Sequence, residues 1–464
     1  MNVYSAICDM IPFAMAKTTV NNNLLTEGDI RKKIMGFMIP ILIGQLFQQM
    51  YNTADALIVG NYLNAESLAA VTSTSSLVFL IIGFCMGFSS GAGVIVARHI
   101  GSGNEEQTTK AVHTAVLLGM IISLVTTLFG VFFADDLLRL MKTPANIIGQ
   151  ATLYLKIYFA GCTSVVMYNM LVGIVQAGGD SRHPLYYLIA SSLVNIALDI
   201  LFISKFHMGV EGAATATIIS QFLSMILVLR QLLTATDATR LIISKLRMDG
   251  DNLRRIIRFG FPTAMQSSVI DLSNILIQSY INSFGSDAVA GIGASTRAEG
   301  FAFLFVTAFS IAATTFISQN IGAGKYDRAK EGIRFTLITS ILLIEAVGVI
   351  MYLFAPHIIS AFNSSPEVIY YGVGRMRVAS LFYCLVGFSH ITSAIMRGAG
   401  RPNVPMVVML VCWCAVRITI LMTVGKAIHE IWLVYWIYPF TWLISSVVYV
   451  YFLKTTRIGP EGRA

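Results

Sequence analysis

The sequence predicts an all-α membrane protein with twelve transmembrane helices in two homologous six-helix bundles, and three observations lead there. The first is composition: 56% of the 464 residues are hydrophobic and only 12% are charged. The mean hydropathy of +0.72 is more than a domain with a solvated surface carries. The second is the number of long apolar stretches. The third is an internal repeat.

A bilayer span needs about 20 mostly apolar residues to cover roughly 30 Å of hydrocarbon. Twelve stretches meet that need, approximately Ile34 to Tyr62, Leu68 to Ala97, Ala111 to Phe133, Ala151 to Gln176, Pro184 to Ser204, Gly209 to Leu232, Phe259 to Phe284, Ala298 to Asn320, Phe335 to Ala355, Val368 to Met396, Val404 to Val424 and Ile428 to Leu453. Backbone groups in lipid must pair within their own segment, and no ten-residue alternation suggests a barrel, so the spans are expected to be helices. Lys and Arg test the count, because they collect in cytoplasmic loops. With the N-terminus inside, the opposite loops hold only Arg139, Lys142, Lys205 and Lys426. Both termini are therefore expected in the cytoplasm, and the net charge of +8 reads as a topology signal with some contact to anionic lipid, with no nucleic-acid partner.

The repeat sets the architecture. A shift of 221 residues lays Asn61, Ser89, Ile100, Gly101, Gly103, Gly179 and Pro184 on Asn282, Ser310, Ile321, Gly322, Gly324, Gly400 and Pro405, and a shift of 222 lays Pro40 and Asn52 on Pro262 and Asn274. Each repeat holds an even number of spans, so the two run parallel across the membrane. The expected domains are a cytoplasmic segment 1–30, an N-lobe 31–235, a basic linker 236–258, a C-lobe 259–455 and a cytoplasmic tail 456–464. Met15 is an alternative start. Two bundles rocking about a midplane cavity would give alternating access, and no Gly-rich filter loop suggests a channel.

Other classes find little support. Cys85, Cys162, Cys384, Cys412 and Cys414 lie in predicted spans without zinc spacing. Gly87 to Gly91 reads G-F-S-S-G, but a nucleophile elbow needs a strand-to-helix turn, so small residues for close helix packing explain it better. No Walker A or H-E-x-x-H pattern occurs. The chain is expected to be no enzyme and to need no cofactor, its energy coming from an ion gradient.

The first span reads P-I-L-I-G-Q-L-F-Q-Q-M-Y-N-T-A-D-A-L-I-V-G (Pro40 to Gly60), an I-G-x-G turn follows the second and eighth spans, and Q-A-G-G-D-S-R-H-P (Gln176 to Pro184) follows the fourth. In this order these segments resemble the multidrug and toxic compound extrusion (MATE) family, from about Thr26 to Lys454. The resemblance implies a V-shaped pair of lobes that exports small cationic or amphipathic organic compounds against sodium ions or protons, as a monomer in the bacterial cytoplasmic (inner) membrane. The alternative is a flippase for a lipid-linked saccharide of the same superfamily. Such a flippase handles anionic diphosphates and would line its cavity with several Arg or Lys; the few intramembrane cations argue against it.

A charge at the bilayer centre costs at least about 2.5 to 3.5 kcal/mol and marks a functional site. Asp55 and Asp199 are such charges in the first half; Asn195 shares a helix face with Asp199, and Thr217 adds a hydroxyl. The resemblance places the N-lobe cation site on these four, with the bending proline of the first helix at Pro40. A sodium ion would find hard oxygen ligands there, and two carboxylates drawn together would equally take up a proton. Under the repeat shifts the four fall on Ile277, Val416, Ile420 and Tyr438, so the pocket exists in one half only. In the second half Asp271, Glu299 and Arg417 form a candidate polar site, with Glu299 expected to pair with Arg417 or Arg297. Met50, Met167, Tyr168 and Met170 are candidates for an adaptable substrate-cavity wall.

Overall fold

The computed structural model describes residues 24–63, 65–141, 143–456 and 458–459. Most of the expected N-terminal segment, with Met15, lies outside these residues, as does the side chain of Asp271. The described residues form helices joined by short turns. They are α1 (Ile30–Tyr62), α2 (Ala65–Gly101), α3 (Glu105–Leu140), α4 (Ile148–Ala160), α5 (Cys162–Ala177), α6 (Arg182–Asp199), α7 (Val210–Thr234), α8 (Gly250–Asn282), α9 (Ser286–Gly322), α10 (Tyr326–Ser360), α11 (Pro366–Ser380), α12 (Tyr383–Gly398), α13 (Asn403–Met409), α14 (Val416–Ala427) and α15 (Ile431–Thr455). Nine stretches are long and apolar enough to cross a membrane, or eleven when the bent pairs α4–α5 (46°) and α11–α12 (57°) each count as one span. Helix α8 stands at the seventh predicted span. Its first turns carry Asp251, Arg254, Arg255 and Arg258.

Local chemistry sets the turns. Gly103 and Gly324, the last glycines of the two I-G-x-G turns, both have φ +69°, a conformation that costs a residue with a Cβ roughly 1–2 kcal/mol. Asn104 then caps α3, its side chain accepting from Gln107 N at 3.0 Å. After α5, Gly179 (φ +88°) turns the chain so that Asp180 accepts from the backbone N–H groups of Arg182 and His183, from His183 Nδ1 at 2.6 Å and from Gln231 Nε2 at 2.9 Å. Asp180 is buried, which opposes its ionisation. The hydrogen bonds and charge of His183 outweigh that burial and hold its carboxyl below the ordinary carboxylate value.

Packing divides the chain into two units, one holding Ile39–Ala264 and the other Leu25–Met38 with Met265–Ala464. The division departs from chain order twice. Helix α1 begins in the second unit and continues in the first, while α8 begins in the first and continues in the second. Pro40 and Pro262, the repeat-related prolines inside these helices, stand next to the two crossings. Each proline removes one intrahelical hydrogen bond at that point.

The two helix starts are held in different ways. In the second unit the carbonyls of Leu25, Thr26, Glu27 and Gly28 accept from Arg328, Lys325 and Asn320, while Leu25 N donates to Gln319 Oε1. In the first unit Ile242 N donates to His113 Nε2, Asp249 N to Thr114 Oγ1, and Asn252 meets His99 Nε2. There α8 also crosses α2 at small residues: a Cβ on Gly260 would stand 2.8 Å from Phe88 Cα, and one on Gly91 2.5 Å from Gly260 N. The G-F-S-S-G segment is thus a helix-packing contact between backbones.

Gly260→Leu is expected to force this crossing apart and cost about 1–3 kcal/mol, read as a lower unfolding temperature in detergent; an unchanged transition would show that the backbones do not meet. Asp180→Asn should cost about 1–3 kcal/mol near neutral pH. Because the folded carboxyl sits below its ordinary value of about 4, its contribution is present above that value and fades as pH falls through the folded one. The wild type and variant should therefore converge in acid, and a gap that stays constant would refute the assignment.

Candidate functional site

In the first unit Asp55 extends from α1 and Asp199 from the last residue of α6. Asp199 and Asn195 are fully buried and Thr217 is buried. A six-residue π-turn, Ile200–Lys205, follows Asp199 directly; wide turns of this kind recur at functional positions and re-aim the side chains beside them. The two carboxyl groups lie within hydrogen-bonding reach of each other. With its amide oriented to satisfy both neighbours, Asn195 donates to Asp199 Oδ2 at 2.9 Å and accepts from Thr217 N at 3.2 Å. Oδ1 of Asp55 and Oδ1 of Asp199 are both buried with no partner.

All four sequence-predicted residues therefore meet in one pocket, and two tyrosines join them. Tyr51, one turn before Asp55, hydrogen-bonds the Thr217 side chain and lies close enough to feel both carboxyls. Tyr154 on α4 also feels both and stacks on Tyr158 with ring centroids 6.4 Å apart. Tyr51 was legible from its spacing of four residues before Asp55; Tyr154 carried no such signal. Two bare carboxylates this close would repel in a low dielectric unless a proton or a cation neutralises the pair.

Other candidates fall elsewhere. Met50 is 58% exposed. Met167 and Met170 are buried in the core of the first unit against Gly119, and Tyr168 packs on that core. These three fill the interior where a cavity wall was expected.

In the second unit Glu299 pairs with Arg375 at 2.7 Å. This corrects the expected pairing with Arg417 or Arg297; the reason is that α11 packs along α9 and buries Arg375 against Glu299, whereas Arg297 is exposed. Arg375 also donates to Ser295 Oγ at 3.0 Å. Arg417 is 1% exposed, donates Nε to Thr441 Oγ1 at 3.0 Å, and lies over the rings of Trp413 and Tyr438 at 4.9 and 4.6 Å. Sequence reasoning missed Arg375, although a charge within the tenth predicted span was the available signal.

Helices without strands among the described residues, a two-fold sequence repeat and a buried acid pair in an apolar bundle define a polytopic membrane transporter. The MatE family profile matches residues 40–201 and 262–423, and the chain belongs to that family. It is 28% identical over 425 residues to the probable multidrug resistance protein YoeA of Bacillus subtilis, covering 90% of this chain and 92% of that one. It is 25% identical over 397 residues to the FAD transporter of Shewanella oneidensis, covering 83% and 86%. Its fold matches the crystal structure of MATE in the bent conformation with a TM-score of 0.87 at 22% identity, covering 95% and 97%.

Asn195→Asp should test the placement of residue 195 beside the acid pair. The new carboxylate would keep the Thr217 N–H but face Asp199 with a like charge, so the stability gap to wild type should widen as pH rises. A gap independent of pH would mean that Asn195 does not face the acid pair.

Proposed function

We propose that the chain is a proton-coupled antiporter that exports small cationic or amphipathic organic compounds by alternating access, and that Asp55 and Asp199 form its coupling site. The observation that carries this reading is the direct contact of two buried carboxyls, an arrangement that holds one shared proton and loses it when the pocket is hydrated or the acids part. A ligand shifts a conformational equilibrium only by its differential affinity for the two states, and a proton that bridges two helices has such a difference. Sodium fits less well: it needs oxygen ligands, yet the Asn195 amide presents its nitrogen to Asp199 and its oxygen to a backbone N–H. The multidrug resistance name of the Bacillus subtilis relative supports the substrate class, and the asymmetry of basic loop residues supports cytoplasmic termini in a bacterial inner membrane. Function as a monomer belongs to the same reading, because Asp55, Asn195, Asp199 and Thr217 all come from one chain.

In proteoliposomes, a pH gradient should drive efflux of a fluorescent organic cation and a sodium gradient alone should not. Asp55→Asn should lower the pH-driven rate at least about tenfold, within the range for loss of a positioned proton carrier, at equal membrane insertion. Sodium-driven transport, or full efflux by the variant, would overturn the reading.

A further inference from the structure

Each unit contains one bent helix pair, and the two bends are filled differently. With the shift of 221, Gly161 and Ile218 correspond to Phe382 and Pro439. In the first unit Gly161 stands at the bend between α4 and α5 and packs on α7. A Cβ there would lie 2.3 Å from Ile218 Cγ2, so the helices meet with no room for a side chain. In the second unit the bend between α11 and α12 carries the Phe382 ring, edge-on to Trp436 of α15 with 5.7 Å between centroids. Pro439, in the place of Ile218, removes one hydrogen bond from α15 at the same level. Where the first unit has a close contact, the second has an apolar crevice of about 320 Å³, lined by Phe382, Leu385, Ile420, Trp436, Phe440 and Leu443 with no polar atom facing it.

This crevice is continuous with the surface that meets lipid. Trp432, Trp436, Phe440, Leu443, Val447 and Tyr451 recur every three or four residues along α15, and all are exposed. On a helix long and apolar enough to cross the membrane, an exposed apolar stripe faces hydrocarbon. The lining begins at Leu433, near the start of α15. From there to Leu443 it covers about 15 Å along the helix axis, half of the roughly 30 Å hydrocarbon core. That is the depth of one leaflet, measured from the turn between α14 and α15. Lipid tails are as apolar as leucine, so no hydrophobic gain distinguishes the crevice from flat helix surface. Contact does: a chain inside it touches side chains on several sides, whereas an unfilled gap forfeits those dispersion contacts.

We propose that the crevice is a binding site for one acyl chain of a bilayer phospholipid, taken from the leaflet on the side of the α14–α15 turn, the outer one in the topology proposed above. The chain fills the gap beside Phe382 and Pro439 and supports the bend between α11 and α12 from the membrane side. Because no polar atom lines the crevice, the chain is recognised and the headgroup is not. This inference goes beyond the efflux reading and does not rest on it.

The test uses the full-length protein in detergent carrying Trp432→Phe, which leaves Trp436 as the exposed tryptophan, since Trp413 and Trp442 are buried. The probe is a phosphatidylglycerol brominated at mid-chain, because bromine quenches an indole that it touches. Quenching should saturate at one lipid per protein. Ile420→Phe, which fills the crevice, should weaken the fitted Kd at least about tenfold, equivalent to about 1.4 kcal/mol, while brominated phosphatidylethanolamine should bind within about threefold of the first lipid. Quenching that rises without saturation, an unchanged Kd in Ile420→Phe, or a preference between headgroups of about tenfold or more would overturn the proposal. So would displacement of the lipid by tetraphenylphosphonium, which would give the crevice to a transported organic cation. If Ile420→Phe fails to fold, Leu385→Phe makes the same comparison from another wall, and saturation without either variant still decides.

Discussion

Two carboxyl groups facing each other inside an apolar helix bundle are the constraint on which the rest of the first unit depends. Either charge alone would be costly at membrane depth, and two together are tolerable only when a proton or a cation neutralises the pair. The neighbours serve that condition. Asn195 donates to Asp199 and ties α6 to α7 through the Thr217 N–H, while Tyr51 occupies the Thr217 side chain. Oδ1 of Asp55 and Oδ1 of Asp199 are then left without a partner among the described residues.

The second unit solves its buried-charge problem with the opposite sign. Arg375 pairs with Glu299 and donates to Ser295, and Arg417 donates to a hydroxyl and lies over two aromatic faces, with Nε of Arg375 and Nη2 of Arg417 left without a partner. Gene duplication supplies the same helical frame twice, but the chemistry set into it has diverged from paired acids to paired guanidinium groups around one tyrosine. The expectation that intramembrane cations are few therefore understated this half of the molecule.

The frame itself is anchored where each half begins. The start of α1 is bound through its backbone carbonyls by Arg328 and Lys325. The start of α8 is seated by polar side chains of α2 and α3 and by the glycine crossing at Gly260. Beyond each anchor stands a proline, next to the residue where the helix passes into the other packing unit. Each proline removes one intrahelical hydrogen bond at that level, and both proline side chains are buried.

The sequence by itself determined the helical membrane class, the repeat and the family, because hydropathy, Lys and Arg placement and glycine turns are written in local order and need no tertiary context. It also named Asp55, Asn195, Asp199 and Thr217, since charge or polarity inside an apolar run is visible in one dimension. Tertiary structure alone decided which groups touch. Tyr154 lies about a hundred residues from Asp55 in sequence, and nothing in its own segment distinguishes it from a packing tyrosine. Arg375 could be seen as a charge in a span, yet its claim on Glu299 in preference to Arg417 follows from the packing of α11 along α9. Likewise Met167 and Met170 look like flexible wall residues until their burial against Gly119 makes them core. The physical reason is the same in each case: apolar patterning fixes which face of a helix is buried, while the partner it meets depends on crossing points and bends that are set by contacts far apart in the chain.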